Sequence, residues 1–275
     1  MDSPPDAPPP VAQAFELALL SDVGTTRPDN EDSCGHFIES PDSVVFAVAD
    51  GVGGYEGGEI ASRMAVDVLL EAYRESPVEW GAAKRLYRAI TRANIEVHDK
   101  ALTVPELSRM ATTMTAVAVE KGILSAVHIG DCRLHLVRHS HISVVTKDHT
   151  MVADRVRMGV MTAARAKTHP ERGMLLRSLG RELIASIDRI TLPLLERDRL
   201  ILCSDGMYNV LEDKELESIS RDVDAETACR NLIEAANNRG TSDNLTCAVF
   251  RMISNTGNSP TTGGWRDRLR GLFRR

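Results

Sequence analysis

Three apolar runs in this sequence stop at an aspartate. Val44-Val45-Phe46-Ala47-Val48-Ala49 leads into Asp50-Gly51, Ile129-Gly130 into Asp131, and Leu200-Ile201-Leu202-Cys203-Ser204 into Asp205-Gly206. A fourth aspartate, Asp243, stands just before the run Leu245 to Phe250. One aspartate followed by glycine at a strand end is usually a turn residue. Several such strands side by side would instead gather their carboxylates in one cleft, where each raises the pKa of the others unless a cation sits among them. Carboxylate oxygens with no Cys or His at zinc-site spacing select hard ions, Mg²⁺ or Mn²⁺.

The segment Ser21 to Asp32 adds one arginine, Arg27, followed by the adjacent acids Glu31 and Asp32 in a loop that starts at a strand end. By itself that is a solvated loop. Arg27 is nevertheless the right residue to hold a phosphate, because its planar fork can grip two oxygens at once. The glycine-rich stretch Gly51 to Gly58 lacks the Gly-Lys-Ser/Thr ending of a P-loop and the G-x-G-x-x-G order of a dinucleotide fingerprint. It reads as a place where backbone comes close to a metal before a helix starts. No cysteine followed at short range by an arginine loop of the tyrosine-phosphatase kind and no D-x-D pair of the aspartyl-phosphate type offers a covalent nucleophile for phosphoryl transfer.

These side chains need elements to position them. Runs with β character cover Phe15 to Val23, Ser43 to Ala49, Thr113 to Glu120, Ile123 to Ile129, Arg133 to Arg138, His141 to Thr146, Arg199 to Cys203 and Asn244 to Met252, with Lys121-Gly122 as a tight hairpin turn. Helical periodicity covers Gly58 to Glu75, Glu79 to Leu102, and a segment from Asp224, an N-cap, to Gly240, a stop. Blocks of consecutive strands separated by paired helices predict an α+β fold rather than a doubly wound one. The expectation is a four-layer α/β/β/α sandwich, two antiparallel β-sheets packed face to face with helices on the outer faces.

At 275 residues, 43% of them apolar, the chain can bury one large core. Residues 1–14 read as a flexible Pro-rich arm, 15–253 as the folded domain, 254–264 as a linker and 265–275 as a basic amphipathic tail. A net charge of -6 argues against nucleic acid as a partner. Met1 to Pro10, with two Asp and five Pro, is no signal peptide, and no apolar run is long enough for a membrane span, so a cytoplasmic location is expected. Five cysteines at scattered spacing read as reduced thiols. In the tail, Trp265, Leu269, Leu272 and Phe273 share a helical face among five arginines, a pattern suited to an anionic membrane surface or a partner.

The segments Gly24-x-x-Arg27-x-x-Asn30-Glu31-Asp32, Ala49-Asp50-Gly51-Val52-Gly53-Gly54, Gly130-Asp131-Cys132-Arg133, Ser204-Asp205-Gly206 and Ser242-Asp243-Asn244-Leu245-Thr246 resemble an ordered motif set. It is that of the metal-dependent Ser/Thr protein phosphatases (PPM, type 2C), bacterial branch. Thr112-Thr113, Asp148-His149-Thr150 and His169-Pro170-x-Arg172 match as well. The resemblance implies two Mg²⁺ or Mn²⁺ ions, with Asp50 bridging, the Gly51 carbonyl on one ion, and Asp205 and Asp243 on the other. It assigns Asp131 to a third, weakly bound metal, Glu31 and Asp32 to metal-bound waters, and Arg27 to the substrate phosphoryl group.

The implied reaction is hydrolysis of phosphoserine and phosphothreonine in proteins by a hydroxide bridging the two metals, opposite a Ser/Thr kinase, by a monomer. Eukaryotic members place a histidine after the Asp-Gly pair where this chain has Val52, which leaves the general acid open among His169, Tyr55 and solvent. The residues Met151 to Leu176 map onto the family's flap beside the active site. Two rival readings are a catalytically silent phosphoprotein-binding module on the same fold and a hydrolase of small phosphate esters.

Overall fold

The computed structural model describes residues 13–52 and 57–254. Among them the elements run β1 (Phe15–Asp22), β2 (Asp32–Ser40), β3 (Ser43–Val52), α1 (Gly57–Glu75), α2 (Gly81–Thr103), β4 (Ala111–Thr112), β5 (Met114–Glu120), β6 (Ile123–Ile129), β7 (Arg133–Arg138) and β8 (His141–Val144). They continue with α3 (Met151–Arg157), α4 (Ala163–Lys167), β9 (Asp188–Pro193), β10 (Arg199–Cys203), α5 (Asp205–Tyr208), α6 (Asp213–Ser220), α7 (Ala225–Asn238) and β11 (Leu245–Met252). One sheet has the order β1-β11-β10-β7-β8 and the other β2-β3-β5-β6-β9, every pairing antiparallel.

The alternation of side chains along the strands builds the layers. In β3, Val44, Phe46 and Val48 face the other sheet, while Val45, Ala47 and Ala49 face α1 and α2. A strand covered on both faces reads as an unbroken apolar run, as this one does. In β10, Leu200 and Leu202 join the core between the sheets, and Ile201 and Cys203 point to the core beneath α7. Phe250 stacks between Phe15 and Phe46, with ring centroids 5.4 and 6.0 Å away, and so ties the two sheets together. Three stacked cores make four layers, the expected sandwich.

The local signals also hold. Lys121 and Gly122 both have positive φ, 48° and 74°, the backbone of a type I′ turn between β5 and β6. Asp224 caps α7 by accepting the Thr227 N–H at 2.8 Å, and Gly240 (φ 71°) follows its end. α2 starts at Gly81, later than its periodicity indicates, because Val78–Trp80 forms a separate 3₁₀ turn.

Three strands had no sequence signal, one of them the two-residue β4. β2 (DSCGHFIES) and β9 (DRITLP) are edge strands, half-exposed and interrupted by glycine, charge or proline, so the β periodicity is weak. At Gly35 in β2 a Cβ would lie 2.8 Å from Leu70 Cδ1 and 2.9 Å from Val66 Cγ1 of α1, so a side chain there would have to displace those two.

Ala14, assigned to the arm, is buried; its N–H donates to the Pro41 carbonyl, and its own carbonyl accepts from Ile253 and Ser254. All five cysteines are free, and all but Cys34 are buried. Among the described residues no helix is long and apolar enough to cross a membrane. The tail at 265–275 lies outside the described residues.

Candidate metal centre

Strand pairing brings the carboxylates to one end of the sandwich. Asp50, near the end of β3, pairs across β2 with Asp32. Its carbonyl is held by the Thr113 N–H and the Thr112 hydroxyl, both at 2.8 Å. Asp131 sits in the turn between β6 and β7. Asp205 opens α5 directly after β10, and the preceding Ser204 N–H donates to the Thr246 carbonyl at 3.0 Å, which joins that end to β11. Asn244, at the start of β11, knits in the Arg27 loop. Its side-chain amide donates to the Val23 and Asp29 carbonyls at 2.9 Å each, and its oxygen accepts the Glu31 N–H at 2.9 Å.

The backbone is tightest at two glycines. A Cβ on Gly51 would stand 2.2 Å from the Gly58 carbonyl oxygen, and one on Gly206 would stand 2.1 Å from that of Asn244. Only glycine admits these approaches. The Asp-Gly pairs are therefore packing requirements here as well as turn signals.

Burial and their mutual repulsion raise the pKa values of these carboxyls. Burial pushes the Asp50 carboxyl well above the ordinary range, and the charges of Asp32, Asp205, Asp131 and Asp243 push it further. Asp32 is pushed up to about 7 by burial, against the hydrogen bonds it accepts from Ser204 and Thr246 and with the charges of Asp205 and Asp243. Asp205 is pushed up to about 6, by burial first and Asp243 second. Asp131 rises well above its usual value, again by burial and then Asp205. Glu31 is raised more modestly by burial, with Arg27 opposing.

Among the described residues, no group of three or more His, Cys, Asp or Glu side chains already converges tightly enough to enclose an ion. The donors still fit divalent hard cations on chemistry: they are oxygens, they are buried, and they destabilise one another's charged forms.

Two of the expected residues make contacts that the sequence does not announce. Asp32, expected to act through water, lies inside the cluster, 7% exposed, and accepts the Ser204 hydroxyl at 2.6 Å. Arg27 contacts one of the expected metal ligands: its Nη2 lies 3.0 Å from Asp243, and its Nε donates to the Ser242 carbonyl. The fork remains 44% exposed at the rim of the site.

Other contributors carried no site signal in the sequence. Asn209, which follows α5, donates to Asp205 at 3.1 Å. Arg172, from the flap, acts on Asp205 as a second cation beside Arg27. Arg172 belongs to the His-Pro-x-Arg element, yet nothing in its neighbours says which acid it faces. His169, a candidate acid, is engaged locally, its Nδ1 accepting the Glu171 N–H at 3.1 Å. Tyr55 lies outside the described residues. The flap itself comprises α3 and α4 and is tied at its base by bridges from Thr150 to Leu175 and from Thr112 to Leu179. A separate cleft of about 410 Å³ between β2 and α1, lined by His36, Phe37, Asp67 and Glu71 among others, contains none of the five aspartates.

Comparison with known proteins agrees with this geometry. The family model described as protein phosphatase 2C matches residues 27–249. Protein phosphatase PhpP of Streptococcus pneumoniae is 32% identical over 242 residues, which is 86% of this chain and 98% of that protein. The crystal structure of the Mycobacterium tuberculosis serine/threonine phosphatase PstP/Ppp superposes with a TM-score of 0.79 at 30% identity, covering 87% of this chain and 99% of the other. The catalytic domain of the serine/threonine protein phosphatase PstP, solved in complex with two manganese ions, superposes with a TM-score of 0.76 at 29% identity, covering 87% and 99%. A match of that extent, on a sandwich whose strand ends gather the five aspartates, shows that the chain belongs to the protein phosphatase 2C family, the metal-dependent serine/threonine protein phosphatases.

Proposed function

We propose that the aspartate cleft hydrolyses phosphoserine and phosphothreonine monoesters in proteins with two divalent cations, Mn²⁺ or Mg²⁺, held by Asp50, the Gly51 carbonyl, Asp205 and Asp243. The observation that carries this reading is the mutual upward pressure on Asp32, Asp50, Asp131 and Asp205, which a cation among them would relieve. The two manganese ions in the PstP structure support the number and kind of ion. Bound there, such ions supply Lewis acidity, acidifying water toward neutral pH and screening phosphoryl charge.

The chain's own residues bind and orient. Arg27, at the exposed rim, presents a fork suited to two phosphoryl oxygens, and its Asp243 contact is exchanged for the phosphate when substrate arrives. Asp131 holds a third, weaker cation. Glu31 and Asp32 organise water at the inner side, with Asp32 held by Ser204. Arg172 adds positive charge from the flap, where a phosphoprotein segment would lie. Residues 14–253 act as the catalytic domain, with 1–13 an arm, 254–264 a linker and 265–275 a tail for a membrane surface or partner. The chain works as a cytoplasmic monomer that opposes a Ser/Thr kinase.

Release of phosphate from a phosphothreonine peptide, with Mn²⁺, with Mg²⁺ and with excess EDTA, tests the reading, with a nucleotide substrate run alongside. Metal-dependent release from the peptide that EDTA abolishes is expected. No release with any metal from a folded protein would favour the silent binding module, and faster release from the nucleotide would favour the small-ester hydrolase.

A further inference from the structure

The segment Asp148-His149-Thr150 carries a histidine that none of the roles above uses. His149 stands buried at the root of the flap and joins it to the loop that carries Asp131. Its N–H donates to the Gly130 carbonyl at 2.7 Å, and its Nδ1 accepts the Gly130 N–H at 3.2 Å. Its carbonyl accepts the N–H of Leu176, at the far end of the flap, at 2.7 Å.

Gly130 precedes Asp131 in the turn between β6 and β7 and has little freedom of its own. Its φ is 99°, and a Cβ there would stand 2.3 Å from the Cβ of Thr113. Thr113 in turn donates its N–H to the Asp50 carbonyl at 2.8 Å. Gly130 is therefore packed on Thr113 and held at both its polar groups by His149.

Each ring nitrogen of His149 faces an obligate donor, and a neutral imidazole has only one lone pair to offer. Nε2 lies 3.3 Å from Arg177 Nη1 and 3.4 Å from Asp188 Oδ2. Arg177 is 41% exposed and also donates to Asp188 at 3.1 Å, so it does not depend on the ring. The Gly130 N–H is buried, and among the described residues Nδ1 is its one acceptor. A buried N–H left unpaired is the costlier loss. Nδ1 therefore keeps the lone pair, and Nε2 carries its proton beside the Asp188 carboxylate.

We propose that His149 is a positioning residue: its Nδ1 and main-chain N–H hold Gly130 and so place the Asp131 carboxylate for the third, weakly bound cation. The inference rests on the reading of Asp131 as that cation's ligand. It makes the weak site and the flap root one unit, with Asp188 fixing the tautomer.

By bond count, asparagine carries its Oδ1 as far from the backbone as Nδ1 and can accept the same N–H. The polar atoms of glutamine lie one bond further out, at the level of Nε2. A role in packing alone would follow volume and favour glutamine.

Calorimetric titration of the metal-free full chain with Mn²⁺ tests it on the wild type, Asp131→Asn, His149→Asn and His149→Gln, with thermal unfolding in chelator as the check on folding. The wild type should show a tight class and a weak class of sites, and Asp131→Asn should lack the weak class. His149→Gln should keep the tight class and bind the weak ion about 10-fold less well, and His149→Asn should recover most of that loss. A weak class missing from the wild type, or unchanged in Asp131→Asn, would sink the reading of Asp131 and the inference with it. A weak class lost in Asp131→Asn but unchanged in His149→Gln, or weakened no less in His149→Asn than in His149→Gln, would overturn the positioning role alone. Should the histidine variants fold poorly, nitrogen NMR of the wild type decides. The ring should be protonated on Nε2, and the Nδ1 signal should move as Mg²⁺ fills the weak class. A proton on Nδ1, or an Nδ1 signal indifferent to Mg²⁺, would overturn the proposal equally.

Discussion

Replacing Asp32 by asparagine should stabilise the metal-free protein at neutral pH while impairing the enzyme. Asp32 is buried opposite Asp50 and is pushed up to about 7 from an ordinary value of 3.8. Because the folded value is the higher one, the group's contribution to stability is complete below the unfolded pKa and is lost as pH rises through 7. Between about pH 4.5 and pH 7.5 an isolated group displaced this far would forfeit about 3 kcal/mol, and proton sharing with Asp50 brings that nearer 2.

Asparagine keeps the shape and an oxygen for the Ser204 hydroxyl, and carries no charge to repel Asp50. In EDTA at pH 7.5, Asp32→Asn should therefore melt about 4–8 °C above the wild type, at about 2–4 °C per kcal/mol for a domain of this size. At pH 4.5 the gap should be much smaller, because most of the loss accrues at higher pH. His128, pushed down to about 4, and His149, also lowered, make stability rise with pH over the same interval, but they are common to both proteins and cancel in the comparison. The assay is far-UV circular dichroism melting at the two pH values, with and without Mn²⁺. With Mn²⁺ the wild type should gain more than the variant. A variant no more stable than wild type at pH 7.5 in chelator would show that the aspartates do not destabilise one another, and the physical case for a cation among them would fail.

Asp243→Asn should abolish Mn²⁺-dependent phosphate release while the circular dichroism spectrum stays that of the wild type; near-normal turnover would rule out Asp243 as a ligand. Arg27→Ala should lower kcat/KM on a phosphopeptide about 10- to 100-fold, as expected for losing hydrogen bonds to a charged group, and Arg27→Lys should recover only part because the fork is gone. Unchanged KM and kcat would remove Arg27 from phosphate binding. Gly206→Ala would place a Cβ 2.1 Å from the Asn244 carbonyl oxygen, so it should lower stability by about 1–3 kcal/mol in urea unfolding. It should also reduce activity by separating Asp205 from Asp243, and a fully active, fully stable variant would contradict that packing.

The sequence by itself determined the elements whose signals are local. The apolar runs of β3, β10 and β11 are long enough to be read without partners, Lys121-Gly122 announces its hairpin by residue type, and Asp224 announces a helix start. The four aspartates were legible because each follows or precedes such a run, and their shared type implied a hard cation once the strands were imagined side by side. What only the tertiary structure decided depends on pairing between distant segments. β2 has weak β character of its own and is a strand because β3 offers it a register, and that register puts Asp32 opposite Asp50. The contacts of Arg27 with Asp243 and of Asn244 with the Arg27 loop join residues far apart in the chain. Residue type says what a side chain can bind, and periodicity says which face it lies on. Which acid meets which donor is settled by the packing of the two sheets and the loops at their ends.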